Sequence, residues 1–154
     1  MRILMVCLGN ICRSPLAEGI LKHKARQEGL NWWVESAGTG SWHVGERPDP
    51  RSIAIARRFG IDITDQRARQ FVPEDFERFD HIFAMDNQNV RDVLRLAQRD
   101  EHRQKVRLLL DLLYPGQKRE VPDPYYGGAD GFEQVYRMIE AACDRLIQHH
   151  RVSS

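Results

Sequence analysis

The opening stretch, M-R-I-L-M-V-C-L-G-N-I-C-R-S-P, constrains the fold more than any other part of the chain. Residues 3–6 form an unbroken apolar run, the pattern of a strand buried on both faces, and such strands belong to parallel sheets covered by helices. The run is too short for a secretory segment, has no small-residue cleavage site, and meets a turn at Gly9-Asn10. Ser14-Pro15 then offers an N-cap and an N1 proline for a helix to about residue 28, with Leu16, Ala17, Ile20 and Leu21 facing inward.

The alternation continues along the chain. Residues 32–36 read as a second strand. Asp49-Pro50 opens a helix that ends near Phe59 with Gly60 as its stop. Residues 81–85 and 106–109 read as third and fourth strands, and Asp86 caps a helix carrying Val90, Val93, Leu94 and Ala97. Residues 67–79 follow neither period. Residues 130–149 carry Phe132, Val135, Ile139, Ala142 and Leu146 at steps of three and four, one face of a long helix. Four strands alternating with helices predict an α/β fold: a single domain over 1–154, with a four-stranded parallel sheet and helices on both faces. No repeat or linker divides it. Ligands of such sheets bind beyond the carboxyl ends of the strands, where the strand order reverses.

Charge and cysteine content narrow the function. The net charge is +1, from acidic and basic residues mixed along the chain, so no basic face recommends a nucleic acid or an anionic membrane. Three cysteines, an odd number without an export signal, argue for free thiols and a cytoplasmic location. The six histidines show no ligand spacing, so neither a metal nor another cofactor is expected.

The loop after the first strand therefore holds the chemistry. A strand-to-helix turn aims backbone N–H groups and the positive end of a helix dipole at one point, which makes an anion site. Arg13 can close on two phosphate oxygens as a bidentate fork, and the same amides and dipole favour negative charge on Cys7 as a nucleophile. The Cys-x5-Arg spacing alone proves little, since chance supplies about 0.4 such pairs in a chain of this composition. The buried strand before Cys7 and the helix start after Arg13 give the spacing its weight.

V-C-L-G-N-I-C-R-S-P resembles the signature loop of the low-molecular-weight protein tyrosine phosphatases. S-A-G-T-G-S-W at 36–42, P-D-P-R at 48–51, A-M-D-x-x-N at 84–89 and D-P-Y-Y at 123–126 resemble further segments of that family in the same order, across nearly the whole chain. The larger tyrosine phosphatases carry a histidine before the cysteine; here Val6 stands there. The resemblance implies Cys7 as nucleophile, Arg13 as phosphate ligand and Asp123 as general acid. V-P-D-P supports the last independently by stiffening the loop that presents the carboxyl. Leu8, Gly9, Asn10, Ile11, Cys12 and Ser14 are expected to form the phosphate-binding loop, with Trp42, Tyr125 and Tyr126 against the substrate. The resemblance also implies that Ser14 donates to the Cys7 sulfur, that Ser36 bonds the Asn10 side chain, and that Asp86 and Asn89 brace the site, a plain N-cap being the alternative for Asp86. Asp49 is expected to cap or to be buried.

The implied partners are phosphotyrosine-containing proteins and an opposing tyrosine kinase, with the chain a monomer or weak homodimer. Two other functions stand beside this one. Arsenate reduction on the same scaffold requires two further relay cysteines, and only Cys12 and Cys143 remain. The other is a non-catalytic phosphate-binding or thiol redox module; a binding module has no need of Asp123, and the C-x-x-C of a redox module is absent. Cys12, five residues from Cys7, is either a disulfide partner for it or a small core residue.

Overall fold

The apolar run at the start forms β1 (Arg2–Cys7), buried from Ile3 onward. It lies in the interior of a sheet ordered β2-β1-β3-β4, all parallel, with β2 (Trp33–Gly38), β3 (His81–Ala84) and β4 (Val106–Leu108). The structure is a computed structural model; it describes every residue except Tyr126, Gly128 and Ser154, and it describes Ala129 and Ser153 by backbone alone.

Strand alternation sends the side chains of β1 into two cores. Ile3, Met5 and Cys7 pack with α1 (Arg13–Gln27), α2 (Pro50–Arg58) and the long α6 (Ala129–Ser153). Leu4 and Val6 pack with Phe71, Phe76, Phe79, Ile82 and Val93 on the opposite face, beneath α3 (Asp75–Arg78) and α4 (Asn87–Leu94). Each fully buried aliphatic side chain contributes about 1.5–3 kcal/mol, so a charge at any of these positions would unseat the central strand. Because β2 pairs with one side of β1 and β3 with the other, the strand order reverses at β1. The crevice at its carboxyl end opens beside Cys7.

Several boundaries differ from expectation. The first helix starts at Arg13 with Cys12 as N-cap, and Ser14 is not the cap: its hydroxyl turns to the Cys7 sulfur instead. The second strand runs on to Gly38, because Ala37 and Gly38 continue the pairing opposite Val6 and Cys7. Residues 67–79 supply a one-residue bridge, Gln70 to Gly38, and then α3. A short α5 (Asp100–Lys105) has no apolar period to announce it; buried His102 anchors it by stacking on Phe76 at 4.5 Å. The fourth strand ends at Leu108 and passes into a 3-10 turn, Leu109–Leu112. Asp49 caps α2 as expected, accepting from the Arg51 N–H at 2.8 Å. Among the described residues, no helix is long and apolar enough to cross a membrane.

Candidate active site

The turn between Cys7 and Arg13 is held in one shape by a chain of hydrogen bonds. Asn10 takes a left-handed backbone, φ 58°, which asparagine tolerates better than most residues. The Arg69 N–H donates to Asn10 Oδ1 at 3.0 Å, which fixes the orientation of the amide. Asn10 Nδ2 then donates to Ser14 Oγ at 2.8 Å and to Ser36 Oγ at 2.9 Å. The Ser36 hydroxyl in turn donates to Glu18 Oε1 at 2.8 Å, and Lys22 holds the other oxygen of Glu18 at 2.6 Å. With Asn10 donating to its oxygen, the Ser14 hydroxyl has its proton free for Cys7 Sγ, 3.0 Å away, and the Asn10 N–H adds a second donor at 3.3 Å. Gly38 closes the turn from the sheet side: a Cβ there would stand 2.8 Å from the Leu8 carbonyl.

Arg13 is 2 % exposed, and its Nη1 is committed to Asp86 Oδ2 at 2.7 Å and to the Val121 carbonyl at 2.9 Å. Its Nη2 stands 3.7 Å from Asp123 Oδ2. Burial opposes the Arg13 cation, but the negative groups around it, Cys7 foremost and then Asp86 and Asp123, outweigh that and raise its pKa further above the ordinary arginine value. Asp86 also caps α4, its Oδ1 accepting from the Asn89 N–H at 2.8 Å while the Asn89 side chain returns the bond. Both readings of Asp86 therefore hold. Asp123 is half exposed, and its Oδ1 accepts from the Tyr125 N–H at 3.0 Å, leaving Oδ2 toward Arg13.

These groups surround a cleft of about 340 Å³. Cys7, Ile11, Cys12 and Arg13 line it with buried side chains, together with Gly9 and the exposed Leu8 and Asp123. Trp42 and Tyr125 line it as well, 72 % and 38 % exposed. Asn10, Ser14 and Ser36 are buried and act through the hydrogen bonds above, outside the lining itself. Tyr126 lies outside the described residues. His43 also lines the cleft, its Nδ1 2.6 Å from Glu46 Oε2, and nothing but its place next to Trp42 signals it in the sequence. Glu18 and Val121 were likewise missed. Glu18 falls one helical turn after Ser14 on a buried face, a cue that a carboxylate there needs partners.

Cys12 is buried, and the Asp49 carboxylate is among the charges that act on its thiol. Burial first, then the charges of Asp49 and Cys7, push the Cys12 pKa up to about 12. Cys143 lies fully buried in α6, its pKa raised by desolvation.

The comparisons agree with this architecture over its whole length. The family model of the low molecular weight phosphotyrosine protein phosphatases matches residues 2–153. The chain is 45% identical over 150 residues to the low molecular weight protein-tyrosine-phosphatase of Streptomyces coelicolor, covering 95% of this chain and 91% of that one. It is 45% identical over 138 residues to the low molecular weight phosphotyrosine protein phosphatase of Schizosaccharomyces pombe, covering 88% and 87%. The crystal structure of the Entamoeba histolytica protein tyrosine phosphatase with Hepes in its active site superposes with a TM-score of 0.92 at 39% identity, covering 99% of this chain and 98% of that one. DARP, a Drosophila arginine phosphatase, superposes with a TM-score of 0.90 at 37% identity, covering 97% and 98%. A parallel sheet that reverses at β1, a cysteine at that reversal, and a match from residue 2 to residue 153 lead to one conclusion: the chain belongs to the low molecular weight phosphotyrosine protein phosphatase family.

Proposed function

We propose that this chain is a cysteine-dependent protein tyrosine phosphatase that hydrolyses phosphotyrosine and aryl phosphates through a phosphocysteine. The observation that carries the reading is the convergence of Cys7, Arg13 and Asp123 on one cleft. The Cys7 thiolate attacks phosphorus and the P–O bond to the phenol breaks. Asp123 Oδ2 gives its proton to the departing phenolate. The carboxylate so formed then takes a proton from water as that water attacks phosphorus and the P–S bond breaks, releasing phosphate and the thiolate. The two donors on Cys7 Sγ, from Ser14 and Asn10, stabilise that thiolate as nucleophile and as leaving group.

Arg13 supplies the charge for the equatorial oxygens. With Nη1 tied to Asp86 and Val121, the Nε and Nη2 edge is the fork left for phosphate. Its 3.7 Å contact with Asp123 is exchanged for the substrate oxygens on binding, which releases the carboxyl for proton transfer. Leu8, Ile11, Trp42 and Tyr125 give the cleft an apolar lining suited to a phenyl ring. The substrates are accordingly phosphotyrosine proteins of the cytoplasm, opposed by a tyrosine kinase.

Phosphate release from p-nitrophenyl phosphate, measured beside thiol-dependent arsenate reduction, tests the reading. Phosphate release without arsenate reduction is expected, because Cys143 is fully buried and offers no relay. Cys7→Ser should keep less than about one per cent of kcat while still binding phosphate, since a hydroxyl does not ionise at neutral pH. Turnover above that level would remove Cys7 from its role.

A further inference from the structure

The segment P-D-P-R-S, residues 48–52, touches both halves of the site. On one side it grips the loop around Cys7: the Asp49 N–H donates to the Ile11 carbonyl at 2.8 Å, and Ser52 Oγ donates to the Cys12 carbonyl at 3.2 Å. On the other side it grips the segment that carries Asp123. Arg51 Nη2 donates to the Tyr125 carbonyl at 2.9 Å, and Nη1 reaches the Gly127 carbonyl at 3.4 Å.

The Arg51 fork is itself fixed. Nε and Nη2 bond the two oxygens of Asp49 at 3.0 Å each, and the guanidinium lies 4.6 Å over Phe132 and 5.5 Å from the Tyr125 ring. Four hydrogen bonds from one guanidinium thus reach three acceptor groups. A lysine ammonium, a point charge on a flexible stem, cannot bridge them. Capping α2 does not require this arrangement, since Asp49 caps by accepting from the Arg51 N–H alone. Two outward bonds to backbone carbonyls beyond Asp123 are what the side chain adds.

Their position gives them leverage. The Tyr125 residue held through its carbonyl is the one whose N–H donates to Asp123 Oδ1 at 3.0 Å. Movement of that one residue therefore moves the carboxyl. Upstream of Asp123, the segment is fastened by the Val121 N–H to the Met85 carbonyl at 2.8 Å and by Arg13 to the Val121 carbonyl.

We propose that Arg51 is a positioning residue for the general acid: it ties the backbone beyond Asp123 to the helix that grips the Cys7 loop, and so sets where the Asp123 carboxyl stands over the leaving oxygen. This rests on the phosphatase reading above and assigns Arg51 no contact with substrate.

The test compares kcat/KM of wild type, Arg51→Ala, Arg51→Lys, Asp123→Ala and the double variant Arg51→Ala/Asp123→Ala on aryl phosphates from 2,4-dinitrophenyl to phenyl phosphate. A poor leaving group needs the proton and a good one does not. Arg51→Ala should therefore lose about 10- to 100-fold on phenyl phosphate and less than about threefold on dinitrophenyl phosphate. Arg51→Lys should show the same trend, and it carries the comparison if the alanine variant does not fold. The double variant should be no slower than Asp123→Ala by more than about twofold, because both changes remove one function. Alkylation of Cys7 by iodoacetate should keep its wild-type rate, which reports an intact nucleophile loop.

A loss equal across the series, or one that multiplies with Asp123→Ala, would overturn the proposal, as would slowed alkylation. A wild type inert toward every aryl phosphate would bring down the phosphatase reading and this inference together. A wild type and Asp123→Ala that behave as expected beside Arg51 variants blind to the leaving group would bring down this inference alone.

Discussion

Asp86 holds Arg13 Nη1 at 2.7 Å with one carboxylate oxygen and starts helix α4 with the other. A side chain that could have been only a cap thereby also engages the guanidinium of Arg13, a residue of the cleft. Asp86→Asn preserves a good N-cap and removes the charge. It should lower kcat/KM for p-nitrophenyl phosphate by about tenfold, with little change in melting temperature, while Asp86→Ala loses the cap as well, at about 1 kcal/mol. Steady-state kinetics beside urea unfolding separates the two effects. Wild-type kinetics in Asp86→Asn would show that Arg13 needs no aiming.

Removing the acid should change the response to the leaving group more than the affinity. Asp123→Ala is expected to slow p-nitrophenyl phosphate cleavage by roughly 10²- to 10⁴-fold, and more for phenols of higher pKa. A constant loss along the phenol series would mean that Asp123 shapes its loop and donates no proton.

The aromatic pair lining the cleft sets the expected selectivity. Trp42 and Tyr125 share the cleft with buried Cys7 and keep much of their surface exposed, so a phenyl stem has aromatic surface to pack against and a serine stem gains nothing from it. Phosphotyrosine peptides should be cleaved at least about 10²-fold faster than phosphoserine peptides, and Trp42→Ala should narrow that ratio by raising KM for the aryl substrate. Including phosphoarginine in the panel checks the apolar lining against a cationic leaving group. Equal rates on all three would refute the cleft argument.

The main features of this fold were written locally. An apolar run, a turn and a helix start lie within fifteen residues, and α6 shows its stripe over about four turns. What escaped reading depends on contacts far away in sequence. Ser14 looks like a cap until Cys7 is placed 3.0 Å from its hydroxyl. Residues 67–79 carry no period because their order comes from Arg69, which pairs with buried Asp75 at 3.0 Å and pins Asn10 through its N–H. Likewise α5 is polar along its length and is fastened by the ring of His102. At the site, Cys7, Arg13 and Asp123, which line one cleft, were legible as motifs. The place of His43 and the bonds of Arg51, which ends the P-D-P-R segment, were not, since a cleft wall and a tie between loops exist only after folding.

Asp49 should give the acid limb of stability a recognisable component. Burial would raise its pKa, but the hydrogen bonds and charge of Arg51 prevail and lower it below the ordinary carboxylate value. Its folded pKa being the lower one, the stabilisation is complete above the unfolded value of roughly 3.9 and is lost as pH falls through the folded one. Urea midpoints of wild type and Asp49→Asn should therefore differ by a constant amount near neutrality and converge below about pH 4. A gap that stays constant into strong acid would show that the carboxylate's charge does not matter.

Peroxide should inactivate the enzyme by converting the Cys7 thiolate to a sulfenic acid; attack by Cys12 then forms the disulfide and expels water. Because the Cys12 pKa stands at about 12, its thiolate fraction is small and grows about tenfold per pH unit below that value. Disulfide closure, followed by mass spectrometry after a peroxide pulse, should accelerate as pH rises. Thiol should restore wild type, whereas Cys12→Ser should recover poorly, its sulfenic acid having gone on to sulfinic acid. Complete recovery of Cys12→Ser would assign Cys12 to packing alone.

The bond from Arg13 to the Val121 carbonyl spans 108 residues. On a ribosome, Cys7 is made before Arg13, and Arg13 is made 108 residues ahead of the backbone that seats it, with Asp123 two places beyond that. Until that stretch is synthesised, a nascent chain carries the thiol and the guanidinium without the carbonyl that holds Arg13 in place. The anion site is thus closed by folding across the chain and cannot be completed by the opening segment alone.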